Sequence, residues 1–395
     1  MELKNKLVLL RVDINAAVNK NKILDSPRFR EAAKTIDKLL KQRARVVVIA
    51  HQGRKNNKDF ASLKQHAKIL TKYSRKKIKY VDDLLGSKAD KEIINLEAGE
   101  ALLLKNLRSY EWEVKPTIKN IKVFKKFIKN FDVYINEAFS ASHRNHSSIT
   151  LPPRLIPSNL GPSFLTEVNA LDKFLHHHNL GRTTLILGGA KVEEQIRILQ
   201  LLQNPRTHAL IGGVLGNILL KTEGNQLGYE DLWLRKNGYN KFLKELTRLN
   251  NKFKDRIILP KDFALASDKR NEQPLSKAPY RKKIMDVGHT TIEEFKQNIR
   301  GGVILMKGPL GFSEMKKYEK GTREILEHIS KLTQGKKAYT LIGGGHLTTQ
   351  AYENKKMKFS HISLAGGAML AYLMNEKIIG LEAINKSRYK TRIKL

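Results

Sequence analysis

The 395-residue sequence contains no cysteine, which excludes disulfide bonds, a thiol nucleophile, an iron–sulfur cluster and a cysteine-based zinc site. It also lacks long apolar runs. None reaches the roughly 18 residues that a membrane-spanning helix needs. The apolar stretch before Arg11 has only four residues, too few for a signal peptide. These absences predict a cytoplasmic protein that does not associate with membranes.

Acidic residues are scarce relative to basic ones. The sequence has 74 Lys and Arg against 38 Asp and Glu, a formal net charge of +36. Such an excess is typical of nucleic-acid-binding proteins. The basic residues run through the whole chain, however, and no Arg-Gly repeat, zinc-finger spacing or aromatic RNA-binding motif accompanies them. We therefore expect solvated lysines rather than a nucleic-acid interface, and faster encounter with anionic small molecules.

The sequence alternates short apolar strands with longer helical stretches. The run Arg45–Ala50 is continuously apolar after its first residue, as in a strand buried on both faces, and Arg28–Lys41 has apolar residues at helical spacing. Because the strands are too many for one sheet, the pattern predicts an α/β fold of two doubly wound parallel-sheet domains of similar size. The predicted strands are Leu7–Leu10, Arg45–Ala50, Ala101–Leu104, Val133–Ile135, Thr184–Leu187, Ala209–Ile211, Val303–Met306, Tyr339–Ile342 and His361–Leu364.

A domain boundary is predicted between Ser148 and Thr183, where prolines cluster before a helix. The predicted organisation is an N-terminal domain of residues 1–162, a linker helix over residues 163–182 with a hinge, and a C-terminal domain of residues 183–374. The run His176–His178 has the composition of a metal-binding tract, but a solvated helix end is the simpler interpretation. No protein-held metal site is predicted.

In the first half, charged or polar residues follow the strands. Ligands bind at the carboxyl ends of strands in this architecture. Guanidinium groups match carboxylate and phosphate groups in a bidentate manner. The sequence therefore predicts a cationic site for a small anionic substrate. The arginines at these positions are Arg11, Arg54, Arg108 and Arg144, with Arg28 at the start of the first helix.

In the second half, glycines follow the strands. Neither the GxxxxGK[ST] motif nor a GxGxxG after a strand is present. Glycine nevertheless lets a ligand approach the backbone closely, and the helix that follows offers free N–H groups to phosphate. Four Gly-Gly pairs at equivalent positions predict a nucleotide crevice, to which Lys191 adds a positive charge. The two halves together favour phosphoryl transfer between two bound ligands, by domain closure and without a protein nucleophile.

The motifs resemble those of the phosphoglycerate kinase family, in the same order and along nearly the whole chain. The AHQ and GGGH sequences are similar to those of its archaeal branch. The motifs that carry the resemblance are RVDIN (Arg11–Asn15), AHQGR (Ala50–Arg54), LLLKNLRSY (Leu102–Tyr110), DVYINEAFSASHRNHSS (Asp132–Ser148), LGGAKVEEQI (Leu187–Ile196), LPKDF (Leu259–Phe263), KGPLGFSE (Lys307–Glu314), IGGGH (Ile342–His346) and FSHISLAGGA (Phe359–Ala368).

The resemblance implies reversible phosphoryl transfer from 1,3-bisphosphoglycerate to ADP, giving 3-phosphoglycerate and ATP, with Mg²⁺ carried by the nucleotide. It also implies that residues 375–395 pack back on the N-terminal domain, and it assigns catalytic roles to Arg28, Lys191, Gly366 and Gly367. The phosphoglycerate would be held by Asp13, Asn15, Arg28, His51, Arg54, Arg108 and Arg144. The nucleotide would be held by Gly188, Gly189, Lys191, Gly212, Gly213, Pro309, Glu314, Gly343, Gly344, Gly345 and His346, with Glu314 on the ribose hydroxyls.

The chain departs from the family's pattern at several positions. His346 stands where most members have an aspartate linked to the metal, and neutral imidazole is a poor ligand for Mg²⁺. Gln195 replaces a second lysine, and Lys307 replaces an asparagine. Leu364 and Ala365 replace a threonine and a glycine. We expect Lys307 to restore the charge lost at Gln195, the alternative being a lysine that simply points into solvent.

Three classes of function remain to be weighed. The kinase is favoured, with phosphoglycerate and ATP or ADP as ligands and a monomer as the expected state. The alternative is a catalytically weak relative that serves as a basic nucleic-acid-binding or scaffold protein, motivated by the net charge and the altered glycine motifs. A different two-domain ligase lacks support, because its phosphate-loop motifs are absent.

Overall fold

The computed structural model describes residues 1–389, apart from the side chain of His346. The chain divides into two compact units. The first contains residues 1–169 together with the described residues from 375 onward, and the second contains residues 170–374. Residues 390–395, the end of the predicted C-terminal segment 375–395, lie outside the described residues. No helix among residues 1–389 is long and apolar enough to cross a membrane.

The first unit begins with a strand whose five residues are all buried. Its strands are β1 (Leu7–Arg11), β2 (Val18–Asn19), β3 (Lys22–Ile23), β4 (Arg45–Ile49), β5 (Ile78–Tyr80), β6 (Ala101–Leu103), β7 (Val133–Asn136) and β8 (Ser158–Leu160). Its helices before the division are α1 (Pro27–Lys41), α2 (Lys64–Tyr73), α3 (Ser87–Ile94), α4 (Lys122–Ile128) and α5 (Ser147–Thr150).

Six of these strands form a parallel sheet in the order β5-β6-β4-β1-β7-β8. Helix α1 covers it with a buried stripe that includes Phe29, Ile36 and Leu39, at the three- and four-residue spacing of one helix face. Trp112 is also buried in this unit, where its ring stacks on Phe124 at 4.1 Å between centroids.

The second unit repeats the architecture. Its strands are β9 (Thr183–Leu187), β10 (Thr207–Ile211), β11 (Ile257–Ile258), β12 (Asp262–Leu265), β13 (Asn271–Pro274), β14 (Ile284–Val287), β15 (Gly302–Lys307), β16 (Ala338–Gly343) and β17 (His361–Ser363). The division between the units falls within helix α6 (Pro162–Leu180). The helices that follow are α7 (Val192–Ile198), α8 (Gly213–Thr222), α9 (Tyr229–Lys236), α10 (Leu243–Phe253), α11 (His289–Asn298), α12 (Lys320–Gln334), α13 (Gly345–Glu353) and α14 (Gly367–Leu373).

The second sheet is parallel and has the order β11-β10-β9-β15-β16-β17. The strand order reverses between β9 and β15, and ligands of such sheets bind at the carboxyl edge of that reversal. Gly188 follows β9 at this point, and Lys307 ends β15. The predicted α/β fold with two parallel-sheet regions is confirmed.

The strands that the periodicity did not predict are short or polar. Strands β5, β8 and β11 have only two or three residues and lie at sheet edges. Strands β12, β13 and β14 form a separate antiparallel sheet, in which Asn271–Pro274 is wholly polar apart from its proline. Strands of two to four residues are too short to show a period in the sequence.

The three consecutive histidines of α6 do not share one environment. His176 and His177 are exposed, but His178 is buried, with Nδ1 2.9 Å from the Thr183 hydroxyl and its ring stacked on Phe174. The interpretation as a solvated helix end is therefore wrong for His178. Among the described residues, no group of three or more His, Asp or Glu side chains could hold a metal ion.

The chain returns to the first unit through a last helix, α15 (Ile379–Asn385). The backbone N–H of Gly380 donates to the carbonyl of Ser142 at 2.8 Å, and a Cβ at Gly380 would lie 2.5 Å from the Ser142 hydroxyl. The helix therefore lies directly against the segment that follows β7. This packing ties α15 to one of the predicted substrate-site loops.

Candidate active site

The carboxyl edge of the first sheet brings Asp13, Asn15 and Arg28 into direct contact. Arg28 Nη1 donates to Asp13 Oδ2 at 2.6 Å and to the Asn15 carbonyl at 3.1 Å. The hydroxyl of Ser140, after β7, also donates to Asp13. Burial alone would raise the pKa of Asp13, but Arg28 and these hydrogen bonds lower it to about 2. The carboxylate is thus ionised and holds the guanidinium in place.

The loop after β4 joins the same site. The side-chain Oδ1 of Asn15 accepts from the Gly53 N–H at 2.8 Å, linking the ends of β1 and β4. Arg11 Nη2 lies 3.0 Å from Nδ1 of His51. Because a guanidinium can only donate, His51 accepts at Nδ1 and carries its proton at Nε2. Burial and Arg11 hold the pKa of His51 well below its ordinary range, so the ring is a neutral donor.

Arg11, the last residue of β1, is fully buried. It belongs to a polar network that the sequence did not indicate. Arg11 Nε donates to the Ser148 hydroxyl at 3.0 Å, and that hydroxyl donates to Glu113 at 2.8 Å. His146 Nδ1 lies 3.8 Å from Glu113 Oε1. Arg11 and His146 sit in quoted motifs, but Glu113 stands in a short 3₁₀ turn with no signal. The network therefore supports the loops that carry the predicted residues.

The remaining predicted arginines are close enough to affect one another. Burial, Arg144, Arg11 and Arg54 lower the pKa of Arg108 from its ordinary value, while Glu113 opposes them. Burial and Arg54 likewise lower the pKa of Arg144. Arg108 is buried, with Nη2 3.4 Å from Nε2 of His146. Mutual repulsion of this kind favours an anion among the guanidinium groups.

The second unit contains a cavity of about 430 Å³ at the carboxyl edge of its sheet. Its lining includes charged groups, among them Lys191, Glu194 and Lys307, and also apolar and aromatic side chains. The predicted nucleotide-site and catalytic residues that line it are Gly188, Gly189, Lys191, Gly213, Pro309, Glu314, Gly344, Gly345 and Gly366.

Two other predicted glycines, Gly212 and Gly343, do not line the cavity and pack against neighbouring side chains. A Cβ at Gly212 would lie 2.9 Å from the Leu310 side chain, and one at Gly343 would lie 2.7 Å from the Met369 side chain. Gly213, by contrast, has φ +58°, and its Cβ would lie 2.6 Å from the Gly189 nitrogen. Gly367 begins α14, and the side chain of His346 lies outside the described part of the chain.

The lining of the cavity also includes a cation close to two aromatic rings. Lys283 Nζ lies 4.3 Å from the centroid of Trp233 and 5.9 Å from that of Phe312. Phe312 is exposed and Trp233 is half-buried. No short motif pointed to these side chains, because they come from a helix, the residue before an antiparallel strand, and a loop. Flat apolar walls of this kind suit a nucleobase.

Two parallel α/β units, one with a cationic side-chain site and the other with a glycine-lined cavity, define an α/β enzyme that acts on anionic small molecules. The family model for phosphoglycerate kinase matches residues 1–376. The chain belongs to the phosphoglycerate kinase family. It catalyses the reversible, glycolytic transfer of a phosphoryl group between 1,3-bisphosphoglycerate and ADP, giving 3-phosphoglycerate and ATP.

Individual relatives agree with this assignment. The phosphoglycerate kinase of Methanosarcina mazei is 33% identical, over 98% of this chain and 94% of its own length. That of Archaeoglobus fulgidus is 34% identical, over 97% of this chain and 94% of its own length. The crystal structure of phosphoglycerate kinase from Pyrococcus horikoshii matches with a TM-score of 0.90 and 28% identity, over 99% of this chain and 98% of that one. The resemblance to the archaeal branch is confirmed.

Proposed function

We propose that the phosphoglycerate binds at the carboxyl edge of the first sheet and the nucleotide in the cavity of the second unit. The first assignment rests on one observation, the convergence of groups from separate strand ends on Asp13 and Asn15. The proposed phosphoglycerate ligands are Asp13, Asn15, Arg28, His51, Arg54, Arg108 and Arg144.

In this proposal, the substrate replaces the repulsion among the arginines with charge-assisted hydrogen bonds. His51 donates from Nε2 as a neutral group, which suits the phosphate or carboxylate of a highly anionic ligand. Arg28 has a second task. It reaches the transferring phosphoryl group, and Asp13 keeps its guanidinium oriented before the substrate arrives.

For the nucleotide, we propose that the phosphates lie toward Lys191 and the glycines of the strand ends, and the base toward Trp233 and Phe312. Helices α8 and α13 begin at Gly213 and Gly345, so their first N–H groups face the same edge of the sheet. Glu314 lines the cavity and would accept from the ribose hydroxyls. Mg²⁺ would arrive on the nucleotide phosphates as part of that substrate.

The reaction itself needs no protein nucleophile. An oxygen of the ADP β-phosphate forms a new P–O bond as the bond to the acyl oxygen of 1,3-bisphosphoglycerate breaks. The electron pair leaves with the carboxylate of 3-phosphoglycerate, and no net proton is transferred. The protein's contribution is to position the two ligands and neutralise their charge.

Direct transfer requires that ligands bound to two separate units meet, so we expect the enzyme to become more compact with both present. Closure driven by ligands is a common step in such enzymes. Small-angle scattering should show a smaller radius of gyration with 3-phosphoglycerate and a non-hydrolysable MgATP analogue together than with either alone. An unchanged radius in the ternary mixture would refute closure.

The net positive charge should increase the rate of substrate capture. We expect kcat/KM for 3-phosphoglycerate to fall by roughly 10-fold as potassium chloride is raised to high concentration, because salt screens the field of the basic site. The value of kcat at saturating substrate serves as the control and should change little. A flat response of kcat/KM would mean that the charge plays no part in capture.

The same salt series tests the nucleic-acid alternative. Tight binding of random RNA at physiological salt would support a second role, and the logarithm of its affinity would fall linearly with that of salt. No finding favours that role. We further propose a cytoplasmic monomer, which cell fractionation and light scattering would test.

A further inference from the structure

Lys307 is the only buried lysine among the described residues, with a side chain 3% exposed. It is the last residue of β15 and pairs in register with Leu187 of β9 and Gly343 of β16. The alternative, a lysine that simply points into solvent, is therefore wrong. Burying an ammonium group is costly unless a partner compensates it, so the position calls for an explanation.

Its partner is Glu194 of α7, whose Oε2 accepts from the Lys307 ammonium. The other oxygen of this carboxylate lies 3.3 Å from Nζ of Lys191. Burial would raise the pKa of Glu194, but Lys307 and Lys191 outweigh it and keep the pKa below its ordinary value. One ionised carboxylate thus lies between two lysines, and all three side chains line the cavity.

The neighbouring Gln195 links Lys307 to a second departure from the family's pattern. Gln195 is buried, and its Nε2 donates to the carbonyls of Gly188 at 2.7 Å and of Lys307 at 3.0 Å. The position that lacks a lysine and the position that gained one are therefore in hydrogen-bond contact, 112 residues apart in sequence. The amide braces the two strand ends but brings no charge.

We propose that Lys307 is a catalytic residue whose ammonium binds the nucleotide's phosphates and neutralises the transferring phosphoryl group, with Glu194 holding it until phosphate takes the carboxylate's place. The inference rests on the proposed assignment of this cavity to the nucleotide. The exchange is favourable because a polyphosphate carries more negative charge than a carboxylate and can contact Lys191 and Lys307 together.

The first test is a double-mutant cycle. Lys307→Asn should lower kcat by about 10-fold or more, the scale expected when a group that stabilises transition-state charge is lost. Adding Gln195→Lys should recover most of the loss, because the charge then returns from the neighbouring position. Two independent effects, or a silent Lys307→Asn, would overturn the proposal. Lys241→Asn is the matched control. Lys241 forms an exposed ion pair with Glu193, which neighbours Glu194 on α7.

A second test separates phosphate binding from a purely structural ion pair. Calorimetry should show that Lys307→Asn weakens MgADP binding by about 10-fold while leaving adenosine binding unchanged. Glu194→Gln should keep or strengthen MgADP binding, because it removes a competitor for the ammonium. Equal losses for MgADP and adenosine, or parallel losses of melting temperature and activity in both variants, would assign the pair a structural role and refute the proposal.

A third variant tests the underlying assignment separately. Trp233→Ala removes an aromatic side chain from the cavity lining and should weaken adenosine and MgADP alike. If it does so while Lys307→Asn has no effect, the cavity binds nucleotide and only the role of Lys307 fails. If Trp233→Ala leaves both ligands unaffected, the assignment of the cavity itself fails.

Discussion

Arg28→Ala is expected to reduce kcat by about 10³-fold, the effect of removing an arginine that stabilises transition-state charge in phosphoryl transfer. The physical reason lies in the 2.6 Å ion pair with Asp13, which orients the guanidinium before the substrate binds. The measurement is steady-state kinetics in both directions, with kcat and KM separated. A normal kcat with only a raised KM would mean that Arg28 merely binds the substrate.

Two further variants sharpen this result. Arg28→Lys keeps a charge beside Asp13 but loses the planar fork, so we expect it to recover only part of kcat. Arg30→Ala is the matched control. Arg30 is on the same helix but is exposed and packs over the ring of Tyr73 at 5.1 Å. We expect no more than a small change for that variant.

The second large effect is a loss of stability in mild acid. Burial, with nearby arginines, lowers the pKa of His146 to about 3, and burial lowers the pKa of His66 to about 4. The pKa of His51 is also well below its ordinary value. At each of these three histidines, between pH 6.5 and the folded-state pKa, the unfolded chain binds a proton that the folded chain lacks, so their contribution to stability falls as pH falls. Each histidine costs about 1.4 kcal/mol per pH unit in that window.

This expectation is checked by urea denaturation at several pH values between 7 and 4.5, with hydrogen exchange used to monitor the unfolding of the first unit. His66→Gln removes one titrating imidazole, so the dependence of the unfolding free energy on pH should become less steep by the contribution of one histidine. Glutamine can still donate to Gln52 Oε1, which lies 3.0 Å from His66 Nε2, so the native hydrogen bond is kept. Stability that stays constant down to pH 5 would contradict the prediction.

Much of the architecture could be predicted because parallel strands buried on both faces are nearly uninterrupted apolar runs. Arg45–Ile49 and Thr183–Leu187 are such runs, and the polar residues or glycines after them mark the carboxyl edges. Edge strands such as Ser158–Leu160 were missed, because three half-polar residues near prolines carry no periodic signal.

The candidate site was predictable where function places a charged group at a strand end. Asp13, after β1, is of that kind, and Arg28 at the start of α1 contacts it. Glu113 was not, since its importance comes from burial beside Ser148 and Arg11, which are distant in sequence. The contact of Gln195 with the Lys307 carbonyl likewise depends on which strands are neighbours in the sheet. Sequence shows the chemistry of a residue, whereas its partners follow from topology.

The two tryptophans of the chain give each unit its own fluorophore. Trp112 lies in the first unit, 5% exposed and stacked on Phe124, so its emission reports the packing of that core. Trp233 lines the cavity of the second unit beside the Lys283 ammonium, a setting in which emission is sensitive to ligands. Single-tryptophan variants would therefore resolve the unfolding of each unit optically, without labels and in the full-length enzyme.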